Sequence, residues 1–166
     1  VGRDDQGGTE VAGMEIESLA AALEREHREI DEGIGAFTAD PSSRERDRRP
    51  LTRAIHALRR HIYLEEEFLF PSLYAAGLGT PVLLMLREHA QMWTTLDSLE
   101  AEPDIGAALT LCRRLTVQLL HHNLKEEKIL YPEVDRVTPE PVAERLRAFL
   151  DSGELPQGWV CERART

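Results

Sequence analysis

Apolar residues recur at steps of three and four along most of this chain, and no stretch alternates convincingly with a period of two. That spacing marks one buried face of an α-helix rather than a half-buried strand. The first stripe runs Ile16, Ala20, Leu23, His27, Ile30, Ile34, Phe37. The second is Leu51, Ala54, Leu58, His61, Glu65, Phe68, and the third Val82, Met85, His89, Met92, Leu96, Leu99. The fourth, the most regular, is Ile105, Ala108, Cys112, Leu115, Leu119, His122, Glu126, Ile129.

Turn chemistry separates the stripes. Asp40-Pro41 closes the first helix. Pro50 suits the opening turn of the second, which weakens at Pro71 and gives way to a glycine-rich turn over 76–80. Thr80 and Pro81 form a cap and first-position pair for the third, Asp104 caps the fourth, and Tyr131-Pro132 ends it. A short fifth helix is expected from Thr138 to Leu150, with Thr138 as cap and Pro139 at its first position. The pattern predicts an all-α fold, an up-down-up-down four-helix bundle with a short C-terminal helix and tail. Residues 1–13 are expected to be a flexible leader, 14–135 the bundle, and 136–166 the short helix and a loosely packed tail.

These stripes are unusual in what they carry. His27, His61, Glu65, His89, His122 and Glu126 occupy slots that call for leucine or isoleucine. Unpaired, each would cost several kcal/mol to bury. Convergence on metal removes that cost, because ligation satisfies imidazole lone pairs and carboxylate charge together. A lone core histidine is usually structural, and one His-x-x-x-Glu is often a surface pair. Repetition decides against both readings. His61, Glu65-Glu66, Phe70-Pro71 is repeated as His122, Glu126-Glu127, Tyr131-Pro132, and a Glu-His pair, Glu26-His27 or Glu88-His89, precedes each copy. Two carboxylates with imidazoles suit iron, manganese or zinc. Six ligands, two of them able to bridge, suit a pair of ions better than one closed structural zinc.

Other residues are expected to be quieter. His56 and His121 lie off the stripes, and Glu66, Glu67 and Glu127 are read as solvated, the alternative being that they hold a histidine N–H. Met85, Met92 and Trp93 read as packing, and the arginines from Arg44 to Arg60 as a solvated face.

Composition narrows the partners. With 42% apolar and 30% charged residues the chain is an ordinary globular domain. A formal charge of −10 repels phosphate backbones, so no nucleic-acid partner is expected. No apolar run is long enough for a membrane span, and the opening residues lack the apolar core of a signal peptide. Two cysteines, Cys112 and Cys161, without a CxxC motif fit a reducing, cytoplasmic setting.

The paired Glu-His and His-x-x-x-Glu-Glu motifs, with Leu69-Phe70-Pro71 and Leu130-Tyr131-Pro132 behind them, resemble the hemerythrin-like family, the HHE cation-binding domain. The resemblance covers about residues 15–135. It implies a four-helix bundle around two non-haem iron ions with an oxo or hydroxo bridge. By position, His27 and His61 would bind one iron, His89 and His122 the other, and Glu65 and Glu126 would bridge. It implies a small diatomic or peroxide ligand: O2, NO or H2O2. Oxygen-carrying members have a fifth histidine on the third helix, one turn from the one matched here, where this chain has Met85 and Trp93. Both irons are therefore expected to be equally ligated and open, with Glu24, Asp31 or Tyr63 as candidate supplements. Reactive chemistry, including catalase- or peroxidase-like turnover, gains over oxygen transport. The alternative is a non-enzymatic oxygen or iron sensor or an iron-binding module. A ferritin-like oxidase fits poorly, since its Glu-x-x-His motif occurs at Glu24-His27 but finds Leu86 before His89.

Overall fold

The computed structural model describes residues 17–39 and 47–164, and all regular structure among them is helical. The expected leader, the loop at Asp40-Pro41 and the arginines at 44–46 lie outside the described residues. The helices are α1 (Leu19–Thr38), α2 (Arg49–Leu64), α3 (Phe70–Ala75), α4 (Gly79–Ala101), α5 (Ile105–Lys125), α6 (Tyr131–Val137) and α7 (Glu140–Ser152). A π-helical turn, Glu65–Leu69, joins α2 to α3, and a second, Glu126–Leu130, joins α5 to α6.

Several ends follow local rules. The Ser18 hydroxyl accepts from the Ala21 N–H and the Asp104 carboxylate from the Ala107 N–H, each satisfying a donor of an opening turn. Asp135 reaches across from α6 to accept from the Leu19 N–H at 2.9 Å. Two expected caps differ. α4 starts at Gly79 with no side-chain cap, so Thr80 lies inside it, and α7 starts at Glu140, with Pro139 rather than Thr138 in the capping position.

The prolines do not end their helices. At Pro71 and Pro132 an α-helix would drive the ring into the carbonyl four residues back. The chain widens into a π turn just before each, the Phe70 N–H bonding to the Glu65 carbonyl and the Tyr131 N–H to the Glu126 carbonyl. α3 and α6 then continue the path. The extra residue moves the buried face on by one position. Leu130 is fully buried, while Ile129, which the three-and-four spacing placed inside, is exposed.

Two apolar clusters form the core. One gathers Ile30, Ile34, Leu58, Ile62, Met92, Leu96, Leu115 and Leu119. The other gathers Leu23, Leu64, Leu69, Phe70, Met85, Leu130 and Tyr131. Each stripe crosses between them at a histidine: Leu23 to Ile30 around His27, Met85 to Met92 around His89. A polar layer thus divides the interior.

The C-terminal part is packed, contrary to the expected loose tail. Cys161 is a buried member of the first cluster, and Trp159 and Val160 pack against it. Trp159 stands edge-on to Trp93 and Tyr63 and donates its Nε1–H to Glu67 at 3.0 Å. The large indole supplies the apolar area that holds an irregular segment in place.

α1 packs tightly on α2 at Gly33, where an added Cβ would lie 2.9 Å from the Ala54 Cβ and 3.3 Å from the Pro50 carbonyl. Gly33→Ala forces the helices apart and is expected to destabilise by about 1–3 kcal/mol, less up to about 1 kcal/mol of regained helix propensity. Gly35→Ala, which meets nothing within 4 Å, is expected to stabilise by about 0.5–1 kcal/mol. Urea unfolding of the two variants checks the opposite signs.

Candidate metal centre

The polar layer brings together all six residues singled out in the stripes. His27, His61, Glu65, His89, His122 and Glu126 are each 3% exposed or less. They converge as two histidine pairs. His27 Nε2 lies 3.1 Å from His61 Nε2, and His89 Nε2 lies 3.2 Å from His122 Nε2.

The two glutamates lie between the pairs and turn one oxygen to each. Glu65 Oε1 is 3.6 Å from His61 Nε2 and Oε2 is 3.3 Å from His89 Nε2. Glu126 Oε2 is 3.4 Å from His27 Nε2 and Oε1 is 3.1 Å from His122 Nε2. One ligand atom each from His27, His61, Glu65 and Glu126 lies within 4.8 Å of the others, and the same holds for Glu65, His89, His122 and Glu126.

Each imidazole is held from behind by a carboxylate at Nδ1. Glu26 accepts from His61 at 2.8 Å, Glu66 from His89 at 2.9 Å, Glu88 from His122 at 3.0 Å, and Glu127 from His27 at 3.0 Å. The four contacts close a ring: α1 holds the histidine of α2, the first π turn that of α4, α4 that of α5, and the second π turn that of α1. A carboxylate at Nδ1 fixes the proton there and leaves the Nε2 lone pair facing inward. Glu66 and Glu127 therefore orient histidines rather than merely facing solvent, and the Glu66 side chain is only 3% exposed.

The ring is braced from outside. The Arg60 guanidinium pairs with Glu26 and donates to the Phe149, Leu150 and Gly153 carbonyls at the end of α7. Arg59 pairs with Asp97 at 2.7 Å and Glu100 at 2.8 Å. These two arginines tie α2 to its neighbours, a correction to the expected solvated face. His56 is exposed, as its off-stripe position indicated, and so is His121.

Electrostatics reflect the crowding. Burial opposes a charged imidazole at His61, yet the Glu65 charge and the hydrogen bond to Glu26 outweigh it and raise its pKa to about 10. His122 is raised to about 9 in the same way by Glu126 and Glu88. Burial and the Glu65 charge push the Glu126 carboxyl up, but His122 and His27 outweigh them and hold it down at about 2.

Donor chemistry tests whether cations fit. With every Nδ1 proton directed outward, a neutral imidazole pair would set two Nε2 lone pairs about 3 Å apart, which repel. Glu65 Oε2 and Glu126 Oε1 are buried without a hydrogen-bond partner, and each faces an imidazole Nε2, that of His89 at 3.3 Å and that of His122 at 3.1 Å. Protons or cations must fill this space, and nitrogen and oxygen donors in these numbers suit first-row divalent or trivalent metals.

The sequence reading missed one group. Tyr131, fully buried, places Oη 2.8 Å from Glu65 Oε1, 3.0 Å from His27 Nε2 and 3.3 Å from His61 Nε2. Its position in the repeat is that of Phe70, whose ring stacks on His89 with centroids 5.4 Å apart. The supplements expected earlier do not take this place. Tyr63 packs instead with Phe68, Phe149 and Trp159, and neither Glu24 nor Asp31 belongs to either ligand group. Among the described residues no helix is long and apolar enough to cross a membrane.

No curated protein and no solved structure matches this chain. The sequence profile of the Hemerythrin HHE cation binding domain matches residues 18–134, a span that contains all six inward-facing ligand candidates and the ring that orients them. The chain belongs to the hemerythrin family.

Proposed function

We propose that this protein holds two non-haem iron ions and binds or reacts with a small oxidant, O2, NO or H2O2. The observation that carries the reading is the pair of glutamates that each turn one oxygen to both histidine pairs. His27 and His61 would hold one ion, His89 and His122 the other, and Glu65 and Glu126 would span both. The bundle we infer is up-down-up-down, supported by the packing of α1 on α2 and of α4 on α5.

Two adjacent irons supply Lewis acidity and two electrons to a small bound oxidant. The protein's own share is to hold and select. The carboxylate ring keeps four imidazoles in one tautomer and aims them inward. Phe70, Met85, Leu64 and Leu130 wall the layer on one side, and Ile62, Met92 and Leu119 on the other. Such walls exclude bulky and charged reactants and leave access to small neutral ones.

Metal analysis after anaerobic iron loading tests this, with two irons per chain expected. Addition of O2, NO or peroxide should then change the visible absorption. Fewer than one iron per chain, or a spectrum indifferent to all three, overturns the reading. Within it, Glu66→Gln leaves His89 without a carboxylate and is expected to weaken metal binding about 10–100-fold. Competition against a chromophoric chelator measures the loss.

A further inference from the structure

We propose that Tyr131 is a fifth protein donor to the ion held by His27 and His61, which makes the two halves of the duplicated centre chemically unequal. The inference rests on the metal pair proposed above.

Donors at right angles on one ion, each about 2.1 Å from it, lie about 3 Å from one another. The Tyr131 oxygen is 2.8 Å from Glu65 Oε1, 3.0 Å from His27 Nε2, 3.3 Å from His61 Nε2 and 3.4 Å from Glu126 Oε2. It therefore keeps donor-to-donor distance from all four atoms of the first group at once.

In the neutral form of the imidazoles that metal binding requires, hydrogen bonding does not satisfy the Tyr131 oxygen. A phenol has one proton, and Tyr131 commits it to Glu65. Neutral His27 and His61 present lone pairs at Nε2, because their Nδ1 protons go to Glu127 and Glu26. Oη thus faces two electron pairs with no second proton to offer. Three electron-rich atoms point at one spot, an arrangement a cation stabilises. On coordination the metal replaces the phenol proton, which leaves to solvent.

The other half has no such atom. Phe70 fills the equivalent position in the repeat and offers only a ring face. Outside it lies a cleft of about 240 Å³ whose lining includes Phe70, Tyr74, Val82, Leu86 and Glu66. The ion at His89 and His122 keeps four protein donors and an apolar neighbour, so a small ligand binds there rather than at the tyrosine side. On this proposal the two ions are unequally open, unlike the equal ligation expected from the histidines alone.

The test uses the full chain loaded with ferric iron. A phenolate on ferric iron gives a visible charge-transfer band, and Raman excitation in that band enhances tyrosine ring vibrations. The expected result is a Raman spectrum whose enhanced lines shift on ring-deuteration of the tyrosines, together with loss of the band in Tyr131→Phe while two irons remain bound. The isotope shift in the unmodified sequence decides even if that variant folds poorly, since Tyr74 is exposed and Tyr63 packs against Phe68, Phe149 and Trp159. Two bound irons without tyrosine lines overturn the tyrosine assignment and leave the metal pair standing. Failure to bind iron overturns both.

Discussion

Glu65→Leu is expected to abolish metal binding at both positions, while His89→Ala removes it at one. Each Glu65 oxygen faces a different histidine pair, so one substitution strips a donor from both groups. Loss of a carboxylate that merely orients a ligand costs about 10–100-fold in affinity, and loss of a direct donor shared by two ions should exceed about 100-fold for each. Calorimetric titration with ferrous iron or zinc would show the heats of both sites vanish together. Survival of one full-strength site in Glu65→Leu would remove the bridging role. The metal-free chain should fare better than the usual loss of about 3–5 kcal/mol for a broken buried ion pair. Here the partner left behind is an imidazole, which can shed its proton rather than stay charged and unpaired.

Without metal, stability should fall steeply as pH rises from about 6.5 to 10, while metal affinity rises over the same range. His61 and His122 have folded pKa values of about 10 and about 9, above the ordinary imidazole value of 6.5. A raised pKa means the folded state binds the proton more tightly than the unfolded chain does. Its contribution is full below about 6.5 and is lost as pH climbs through the folded value, by about 1.4 kcal/mol per proton per pH unit. Glu126 has the opposite sign. Its pKa of about 2 lies below the ordinary 4.5, so its contribution is present above 4.5 and disappears as pH falls toward 2. The metal-free bundle should be most stable between about pH 4.5 and 6.5. Metal needs the imidazoles neutral, so protons and metal compete and acid releases the ions. Thermal melts of the chelator-treated protein across pH, set beside melts of the loaded protein, test both halves. A metal-free protein equally stable at pH 6 and pH 9 would contradict the account.

Much of the site was legible because a bundle core tolerates few polar groups. Six such residues at regular stripe positions could be explained only by mutual satisfaction, and the repeat made the explanation specific. The orienting carboxylates were half visible. Glu26 and Glu88 stood beside ligand candidates in both copies, but their targets lie on the next helix, which no local spacing reveals. Glu66 and Glu127 looked solvated because charge next to a ligand position points outward on an isolated helix. Arg60 and the tail that carries Trp159 were misread for the same reason, since the partners of these two side chains belong to α1, α7 and the first π turn.

Tyr131 shows the limit most clearly. At about 100° per residue, a side chain nine positions beyond His122 falls on the opposite side of a regular helix. The π turn absorbs one residue, and the aromatic ring returns to within about 80° of the histidine face. Pro132 signalled a disturbance, and the reading of a helix end was the wrong consequence to draw from it. The proline perturbs only the bond to the carbonyl four back, and α6 packs against α1, so continuing the helix cost less than breaking it.

The sequence by itself determined the helices, the buried faces and the six groups that meet, because helical periodicity and the cost of burying charge are local or additive properties. The tertiary structure alone decided which carboxylate orients which histidine, that Glu65 and Glu126 each face both pairs, and that Tyr131 rather than Phe70 brings an oxygen to the centre. Those are relations between helices distant in the chain, fixed by how the helices rotate and widen as they pack.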